Sequence, residues 1–392
     1  MDNFLTASID DIIKGKVTDI YFERTKEILE KEGLDKVKVI AEVHSYSLPK
    51  GYEWAILAGV YEVAELLKGK PINVYSLPEG TLFRPIHPVM NIEGPYVEFC
   101  VYETALLGIL RHSTSVATKA ARCKKAAGEK AVIFFGTRAV HPLIAPIIDR
   151  AAFIGGCDGI SDVHGAEKLG IKPIGTIPHS LIVIFGDQIK AWKAFDKHMP
   201  SDIPRIALCD TWFDERVEAL MAAEALKDKL YGVRFDTPSS RRGNMKRIVE
   251  EARWTLNAKG YSHVKIIVSG GIDEEAILQL RDVADGFGVG TAIAFPPSID
   301  LSMDIVEVEG EPRSKKGKLP GKKQVYRCWS CFKDYMVPAT QELSKCPDCG
   351  SEVEPMLKPL IINGEIVYEK KSPTEIRSYV LKQLRMLGEL SS

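Results

Sequence analysis

Apolar runs with strand character alternate with helical segments through the middle of the chain. Glycine or polar residues follow most of these runs. We predict eight strands in this region, at 131–135, 152–157, 172–176, 182–185, 205–209, 230–235, 264–269 and 284–289. Helices are predicted between them, for example at 216–227, 244–258 and 274–282. About eight strands joined by right-handed crossovers fit a parallel β/α barrel, complete or irregular, better than an open sheet.

Both ends of the chain mix helices with short strands and Pro/Gly turns. Before the barrel we predict helices at 19–32, 54–67 and 99–127 and a strand at 36–44. After it we predict strands at 304–311, 322–327 and 360–368 and a helix at 373–387. The predicted organisation is therefore an α/β sandwich domain at 1–115, a barrel-like catalytic domain at 116–295, and a C-terminal segment at 296–392 that returns to the sandwich.

The composition is that of an ordinary globular protein, with 392 residues, 45% hydrophobic and 27% charged. The formal net charge is -1, so no overall field attracts nucleic acid or an anionic membrane. No apolar run reaches membrane-spanning length, and the acidic start, residues 1–11, is unlike a signal peptide. We expect a cytoplasmic protein that binds neither membrane nor nucleic acid.

Four of the eight cysteines form one motif, Cys328-x2-Cys331 followed after fourteen residues by Cys346-x2-Cys349. Two Cys-x-x-Cys turns supply four thiolates to one tetrahedral ion, which suits structural Zn2+; iron in a rubredoxin-like site is the alternative. We expect a closed structural knuckle at 328–349, with little in its loop to bind nucleic acid. The other four cysteines are single and are expected to be buried thiols.

Charged and glycine-rich clusters follow the predicted strands, where a parallel sheet brings loops together. The pairs Ser269-Gly270-Gly271 and Gly288-x-Gly290-Thr291 end successive strands, as in a phosphate nest, although simple turn geometry is the alternative. The planar guanidinium of Arg138 is suited to binding a carboxylate or a phosphate; a surface ion pair is the alternative. Arg234-x-Asp236 places two side chains on one face of a strand end. Together with His179, these clusters predict an anionic, phosphate-bearing substrate.

The order of these clusters resembles the nicotinate phosphoribosyltransferase family. The segments that carry the resemblance are Leu77-Pro78-Glu79-Gly80-Thr81, Ile92-Glu93-Gly94-Pro95, Glu103-Thr104-Ala105, Phe135-Gly136-Thr137-Arg138-x-x-His141-Pro142, Gly159-Ile160-Ser161-Asp162, Gly175-Thr176-x-x-His179-Ser180 and Gly232-Val233-Arg234-Phe235-Asp236. Each motif is modest alone, but several in this order are specific. The resemblance implies a reaction of nicotinate with phosphoribosyl pyrophosphate that yields nicotinate mononucleotide and pyrophosphate.

The resemblance also implies roles for individual residues. His179 matches the active-site histidine, which ATP-using members phosphorylate, so ATP is left open as a further substrate. Asp236 matches the aspartate at the ribose, and Arg234 a second arginine at the substrate. The implied substrate-binding residues are Tyr21, Phe135, Thr137, Arg138, Ser161, Ser269, Gly270, Gly271, Gly290 and Thr291. Mg2+ would accompany the pyrophosphate. A homo-oligomer would share its active sites, with one of the two aromatic residues, Tyr21 or Phe135, lent by a neighbouring subunit.

Two departures from the family pattern leave alternatives open. Thr237-Pro238-Ser239-Ser240 stands where the family often has Ser-Gly-Asp, and the cysteine knuckle is not general in the family. Quinolinate and nicotinamide phosphoribosyltransferases are the nearest alternatives within the fold, although this chain lacks the His-Arg pair that would hold a second carboxylate. A barrel-derived regulator whose zinc ribbon binds nucleic acid or a partner is the alternative from another class.

Overall fold

A computed structural model describes residues 5–388, so the first four residues of the acidic start lie outside it. The described chain forms two compact units, one made of residues 5–118 and 297–388 and the other of residues 119–296. Between residues 5 and 388, the helices all lack the combination of length and apolar character that a membrane span requires.

Helices and strands are numbered here in chain order. The α-helices are α1 (Ile9–Ile13), α2 (Ile20–Lys31), α3 (Val60–Leu67), α4 (Glu103–Ala127), α5 (Ala145–Ile154), α6 (Val163–Leu169), α7 (His179–Phe185), α8 (Gln188–His198), α9 (Glu215–Leu226), α10 (Met245–Ala258), α11 (Glu274–Leu280), α12 (Thr291–Ala294) and α13 (Pro373–Met386). The strands are β1 (Lys38–His44), β2 (Ala55–Ile56), β3 (Asn73–Ser76), β4 (Leu82–Phe83), β5 (Pro88–Pro95), β6 (Ala131–Phe134), β7 (Gly159–Ile160), β8 (Arg205–Leu208), β9 (Leu230–Phe235), β10 (Lys265–Val268), β11 (Gly286–Val289), β12 (Ser302–Val308), β13 (Glu311–Pro312), β14 (Lys323–Cys328), β15 (Asp334–Pro338), β16 (Val353–Pro355), β17 (Lys358–Ile362) and β18 (Glu365–Ile366). Short 3-10 turns lie at Tyr96–Glu98, Cys100–Tyr102, Thr137–Ala139 and Lys227–Lys229.

The first unit is built on a seven-stranded antiparallel sheet in the order β13-β12-β1-β5-β3-β17-β18. Alternate residues of β1, such as Ala41 and Val43, point into a fully buried apolar core. Leu106 and Leu110 of α4 pack in the same core. The return of the C-terminal segment to the first unit explains why β12 and β17 lie in the same sheet as β1, β3 and β5.

The second unit contains a six-stranded parallel sheet in the order β7-β6-β11-β10-β9-β8. The strand that enters the unit, β6, pairs with the last one, β11. In residues 119–296 the two edge strands β7 and β8 do not pair with each other, so the sheet is a curled half-barrel. The parallel β/α class with an irregular barrel is therefore confirmed.

Three of the eight predicted barrel strands are wrong. Residues 152–154 end helix α5, and 182–185 belong to α7, which Pro178 precedes and the left-handed Gly186 ends. Residues 172–176 form no strand. The first two were short apolar runs, and periodicity alone does not separate a buried strand from a buried helix. The third, Lys172-Pro-Ile-Gly-Thr176, contains proline and glycine, which are unfavourable in a strand. The two-residue strand β7 was missed because Gly159 and Ile160 carry no alternation.

The first unit needs two corrections as well. The single strand predicted at 360–368 is a hairpin of β17 and β18, which pair antiparallel. The helix predicted at 54–67 is divided: Ala55–Ile56 pairs with Leu82–Phe83, and only Val60–Leu67 is helical. Gly59 separates the two with a φ of 93°, a conformation that favours glycine. The backbone N–H of Gly59 donates to Glu79 Oε1 at 2.8 Å, which anchors the break.

A small three-stranded sheet, β15-β14-β16, carries the four motif cysteines and is anchored through Arg327. Arg327 precedes Cys328 and is 1% exposed. Its guanidinium donates to both carboxylate oxygens of Asp334, at 2.7 and 2.8 Å, and to Gln383 Oε1 at 2.7 Å. It also donates to the Leu82 carbonyl. One buried cation thus joins the cysteine sheet to α13 and β4.

Replacing Arg327 by Leu should destabilise the protein strongly, because Asp334 and Gln383 would lose a buried partner. We expect a loss of about 3–5 kcal/mol in the free energy of unfolding. The matched control is Arg247→Leu, since Arg247 pairs with Glu250 on the surface of α10 and its side chain is 74% exposed; it should lose about 0–1 kcal/mol. Urea unfolding would measure both, and equal losses would contradict the assigned role of Arg327.

Candidate active site

The polar clusters predicted from the sequence lie together at one edge of the parallel sheet of the second unit. Phe135, Ser161, Asp236, Ser269 and Gly290 each follow the carboxyl end of a strand. Parallel strands place these ends side by side. The pairing order sets the neighbours: the loop after β6 lies between the loops after β7 and β11.

Phe135 forms a flat wall across the middle of this edge. Its backbone N–H donates to the Val289 carbonyl at 2.8 Å. Its ring lies directly over Gly288, where an added Cβ would come within 2.5 Å of the ring carbons. Glycine is therefore required at position 288, because the Phe135 ring approaches the backbone too closely for a side chain there. The Arg234 guanidinium carbon lies 5.7 Å from the centre of the same ring.

Arg234 is the main buried cation of the site. Its side chain is 13% exposed, and its Nη2 lies 3.7 Å from Asp236 Oδ2. Burial lowers the pKa of Arg234; Asp236 and Asp210 oppose that change, whereas the charge of Arg138 adds to it. Nε of Arg234 is buried and has no hydrogen-bond partner among residues 5–388. Two arginines that repel each other, one with an unsatisfied donor, favour binding of an anion.

His179 is held by Asp210, a residue that the sequence analysis did not select. Nε2 of His179 lies 2.9 Å from Asp210 Oδ1. The Asp210 side chain is 2% exposed, whereas that of His179 is 43% exposed. The other carboxylate oxygen of Asp210 accepts the Asp236 backbone N–H and the Thr237 hydroxyl. Asp210 therefore fixes His179 and the loop after β9 together.

Asp236 connects the loop after β9 with the loop after β10. Its Oδ1 accepts the Ser269 hydroxyl at 2.6 Å. Gly270 follows in a left-handed conformation, with a φ of +77°, and an added Cβ there would lie 2.8 Å from the Asp236 carbonyl oxygen. Ser269 and Gly270 therefore support Asp236 closely. Gly271 also has a positive φ, +69°, with open space where a side chain would be.

Hydrogen bonds from neighbouring segments support the glycine turn at Gly270. Arg242 Nη1 donates to the Gly270 carbonyl at 2.9 Å. At the start of α11, Glu274 accepts hydrogen bonds from Arg122, at 2.8 and 3.0 Å, and from Lys119 at 3.1 Å. The second turn, Gly290-Thr291, opens α12 with Thr291 exposed. The first turn is therefore held by hydrogen bonds from neighbouring segments, and Gly271 and Thr291 are accessible.

The remaining predicted residues differ in their placement. Arg138 is exposed in the 3-10 turn that follows Phe135. The Thr137 hydroxyl donates to the buried Asp149 at 3.3 Å. Half-buried Ser161 donates its backbone N–H to the Phe134 carbonyl. Tyr21 belongs to the first unit, on α2, where its ring packs on Phe22 with 4.2 Å between centroids and is largely exposed.

Sequence reasoning missed Asp210, Glu215 and Arg242. The Thr237 hydroxyl lies 2.6 Å from Glu215 Oε1 and 3.0 Å from Asp210 Oδ2, so the two carboxylates share its one proton and the unusual Thr237 is built into the site. A signal for Asp210 was present, because it directly follows the predicted strand 205–209, as Asp236 follows its own strand. Glu215 and Arg242 lie in the first turn of a helix and in a loop, and only the tertiary structure selects them.

The four motif cysteines gather in the first unit. Their sulfur atoms all lie within 4.8 Å of one another, with 3.4 Å between Cys328 and Cys349 and 3.6 Å between Cys331 and Cys346. A tetrahedral ion with bonds of about 2.3 Å to sulfur requires sulfur separations of about 3.8 Å. The arrangement of the thiolates thus fits one tetrahedral metal ion.

Comparison with known proteins agrees with this geometry. The family models for the N-terminal and C-terminal domains of quinolinate phosphoribosyl transferase match residues 19–114 and 116–304. The crystal structure of nicotinate-nucleotide pyrophosphorylase from Pyrococcus furiosus is 56% identical, with a TM-score of 0.97 over 98% of this chain and 99% of that one. Human nicotinic acid phosphoribosyltransferase shares the fold, with a TM-score of 0.76 over 96% of each chain at 21% identity.

Among curated relatives, nicotinate phosphoribosyltransferase of Bacillus subtilis is 27% identical over 79% of this chain and 72% of its own length. Other bacterial relatives of the same name are matched over 65% and 54% of their lengths. Fold, site and matches define a phosphoribosyltransferase. The chain belongs to the family of nicotinate and quinolinate phosphoribosyltransferases, which confirms the resemblance of its motifs.

Replacing Asp210 by Asn should misplace both His179 and Asp236, because one amide oxygen cannot accept three donors. We expect phosphoribosyl transfer to fall about 100-fold, the effect of a displacement of about 1 Å at a reacting centre. Asp202→Asn is the control, since Asp202 pairs with Lys172 on the surface. Steady-state rates would measure the effect, and a rate for Asp210→Asn equal to that of the control would contradict the role of Asp210.

Proposed function

We propose that this protein joins nicotinate to phosphoribosyl pyrophosphate and releases nicotinate mononucleotide and pyrophosphate, a step in NAD synthesis. The observation that carries the proposal is the buried guanidinium of Arg234, with an unpaired Nε, beside the Phe135 ring and near the second cation Arg138. A planar aromatic carboxylate matches that combination of a flat apolar wall and an unsatisfied cation. The relatives described above support the same substrate.

The chemistry that follows is positioning and charge neutralisation. The pyridine nitrogen attacks C1 of the ribose while pyrophosphate departs, through a transition state with oxocarbenium character. Asp236, held by Ser269, places a carboxylate where positive charge develops on the ribose. Arg138 would neutralise charge on the departing phosphates. Mg2+ bound with the pyrophosphate would add to that neutralisation, and Asp236 is the carboxylate available to orient it.

The glycine turns are assigned to the 5′-phosphate of the ribose. Gly270 and Gly271 adopt positive φ angles, which turn consecutive backbone N–H groups toward one concave face. Gly290, with a φ of -110°, and Thr291 add a second turn of different backbone conformation, with an exposed Thr291 side chain. Backbone N–H groups at rigid turns bind phosphate without a side chain that must be ordered.

ATP coupling through His179 forms a second part of the proposal. Asp210 accepts the bond from Nε2–H, which leaves Nδ1 as the nucleophile. Attack of Nδ1 on the terminal phosphorus of ATP would release ADP and leave a phosphorylated imidazolium, whose positive charge Asp210 stabilises. Transfer of the phosphoryl group to water would then restore the neutral imidazole. The 43% exposure of the His179 side chain gives ATP access.

Quinolinate is the second candidate substrate, because the matching family models carry its name. Its additional carboxylate needs another cation, and the Gly155-Gly156-Cys157-Asp158 segment offers none. Nicotinamide is less suited, since its neutral carboxamide gains little from a buried arginine. Enzyme matches over most of the chain also favour an enzyme over a regulator that binds nucleic acid.

We propose a homo-oligomer in which Tyr21 completes the site of another subunit. The first unit exposes apolar side chains along α1 and α2, including Ile9, Ile20 and Ile28. The second unit exposes Ile184 on α7, and Trp212 and Phe213 in the loop after β8. Apolar surface of this kind is typical of an interface. A cytoplasmic location stays a prediction.

A substrate panel tests the reaction. Pyrophosphate release from phosphoribosyl pyrophosphate and Mg2+ should be greatest with nicotinate, weaker with nicotinamide and quinolinate, and faster when ATP is added. His179→Ala should abolish the ATP effect while leaving slow ATP-independent transfer, because the nucleophile for the phosphoryl group is gone. A preference for quinolinate would overturn the assignment of nicotinate. Unchanged coupling in His179→Ala would exclude phosphorylation of this residue.

We further propose that Cys328, Cys331, Cys346 and Cys349 hold one structural Zn2+. Metal analysis of the purified protein should find about one zinc per chain. Cys328→Ser should lose the metal and lower the unfolding temperature, because Cys328 adjoins the buried Arg327. Cys100→Ser, at a buried single thiol, is the control and should retain the metal. Detection of iron instead of zinc would change the assigned ion. Full metal retention in Cys328→Ser would refute the site.

A further inference from the structure

A buried carboxyl group outside the motif clusters lies directly behind the candidate substrate loops. Asp149, on α5, is 0% exposed. Its Oδ1 accepts the hydroxyl of Thr137, the residue before Arg138. Its Oδ2 is buried and receives no hydrogen bond from any described residue. A fully buried carboxylate with an unsatisfied oxygen is unfavourable, so this group must carry a proton or face a cation.

The group that faces Asp149 is a second carboxyl, not a cation. Asp162 follows β7 and Ser161, and its Oδ2 accepts the Gly165 backbone N–H at 2.7 Å as the N-cap of α6. An added Cβ at Gly165 would lie 2.4 Å from Asp149 Oδ2, so the first turn of α6 presses directly on the Asp149 carboxyl. Glycine at 165 therefore permits this approach.

The charges around the pair do not compensate it. None of the ion pairs among residues 5–388 includes Asp149 or Asp162. Of the charged residues of α6, His164 and Glu167 pair with each other on the surface, and Lys168 is exposed to solvent. Burial first, and then the charge of Asp162, raise the pKa of Asp149 to about 7. The Thr137 hydroxyl opposes this change only in part. Two carboxyl groups in such contact are stable together when they share one proton.

We propose that Asp149 is a positioning residue for the phosphoribosyl-binding loops. As a carboxylic acid it donates its proton to Asp162 and accepts the Thr137 hydroxyl, so that one shared proton ties the loop after β6 to the loop after β7. Thr137, Arg138 and Ser161 stand on those two loops. The assignment of these loops to substrate rests on the proposed function, whereas the shared proton rests on the burial of Asp149, its unsatisfied Oδ2 and the nearby Asp162, whatever the substrate is.

Loss of the shared proton should loosen substrate binding, since two adjacent carboxylates repel each other. As pH rises through about 7, the KM of the wild-type enzyme for phosphoribosyl pyrophosphate should increase about fivefold. A change of this size corresponds to the loss of one hydrogen bond. The change in kcat should be smaller. Asp149→Asn stays neutral and keeps both bonds, so its KM should not rise in this range. Asp149→Leu removes both bonds and should raise KM at every pH.

A second measurement does not depend on activity. Because the pKa of Asp149 is raised on folding, the folded state binds more protons than the unfolded state between about pH 4 and 7. The unfolding temperature of the wild type should therefore fall, relative to that of Asp149→Asn, as pH increases through this window, and the difference should level off above it. Asp202→Asn, on the surface, should behave as the wild type.

The two measurements distinguish failure of the shared-proton proposal from failure of the proposed function. Identical pH profiles of KM and of unfolding temperature in the wild type and Asp149→Asn would overturn the shared proton. Absence of turnover with every substrate would overturn the proposed function, and the unfolding series would still decide on the pair. A shift in unfolding temperature without any change in the KM profile would overturn the positioning role. Both expected shifts together support the proposal.

Discussion

Parallel pairing of β6 with β11 is the constraint on which the candidate site depends. It joins the strand that enters the second unit to the last one, so that Phe135 and Gly290 become neighbours although they are far apart in sequence. Gly288 then allows the Phe135 ring to lie flat over the sheet, and Arg234 stands beside that ring. Without this pairing, the arginines and the glycine turns would not share one edge of the sheet.

Buried polar groups at this edge are organised by shared acceptors. Asp210 accepts from His179, the Asp236 backbone and Thr237, while Asp236 accepts from Ser269. Each acceptor joins loops from different strands, which orders them before substrate arrives and reduces the entropy lost on binding. Arg234 is an exception among the charged donors of the site, since its Nε has no partner in residues 5–388. An unsatisfied donor among satisfied ones marks where an anion is expected.

The three-stranded sheet that carries the cysteines in the first unit is also organised by a buried polar group whose hydrogen bonds join distant segments. Arg327 is satisfied by a carboxylate, an amide oxygen and a carbonyl, and it directly precedes Cys328. A metal ion at the cysteines would restrain the turn that follows this arginine. Metal binding and packing of α13 are therefore expected to be coupled, since Gln383 of α13 also accepts the Leu82 backbone N–H.

The sequence by itself determined the class of fold, the strands that end in polar clusters and the cysteine motif, because these depend on local periodicity and on fixed spacings. It also determined the family, through the order of motifs that include Arg138, His179 and Arg234. It did not separate strand from helix at 152–154 or 182–185, where short apolar runs belong to helices that end at Gly155 and at Gly186. Only the tertiary structure selected Glu215, Arg242 and Asp149, because their significance lies in which partner they face. A partner of this kind depends on contacts between distant segments, and local pattern carries no record of it.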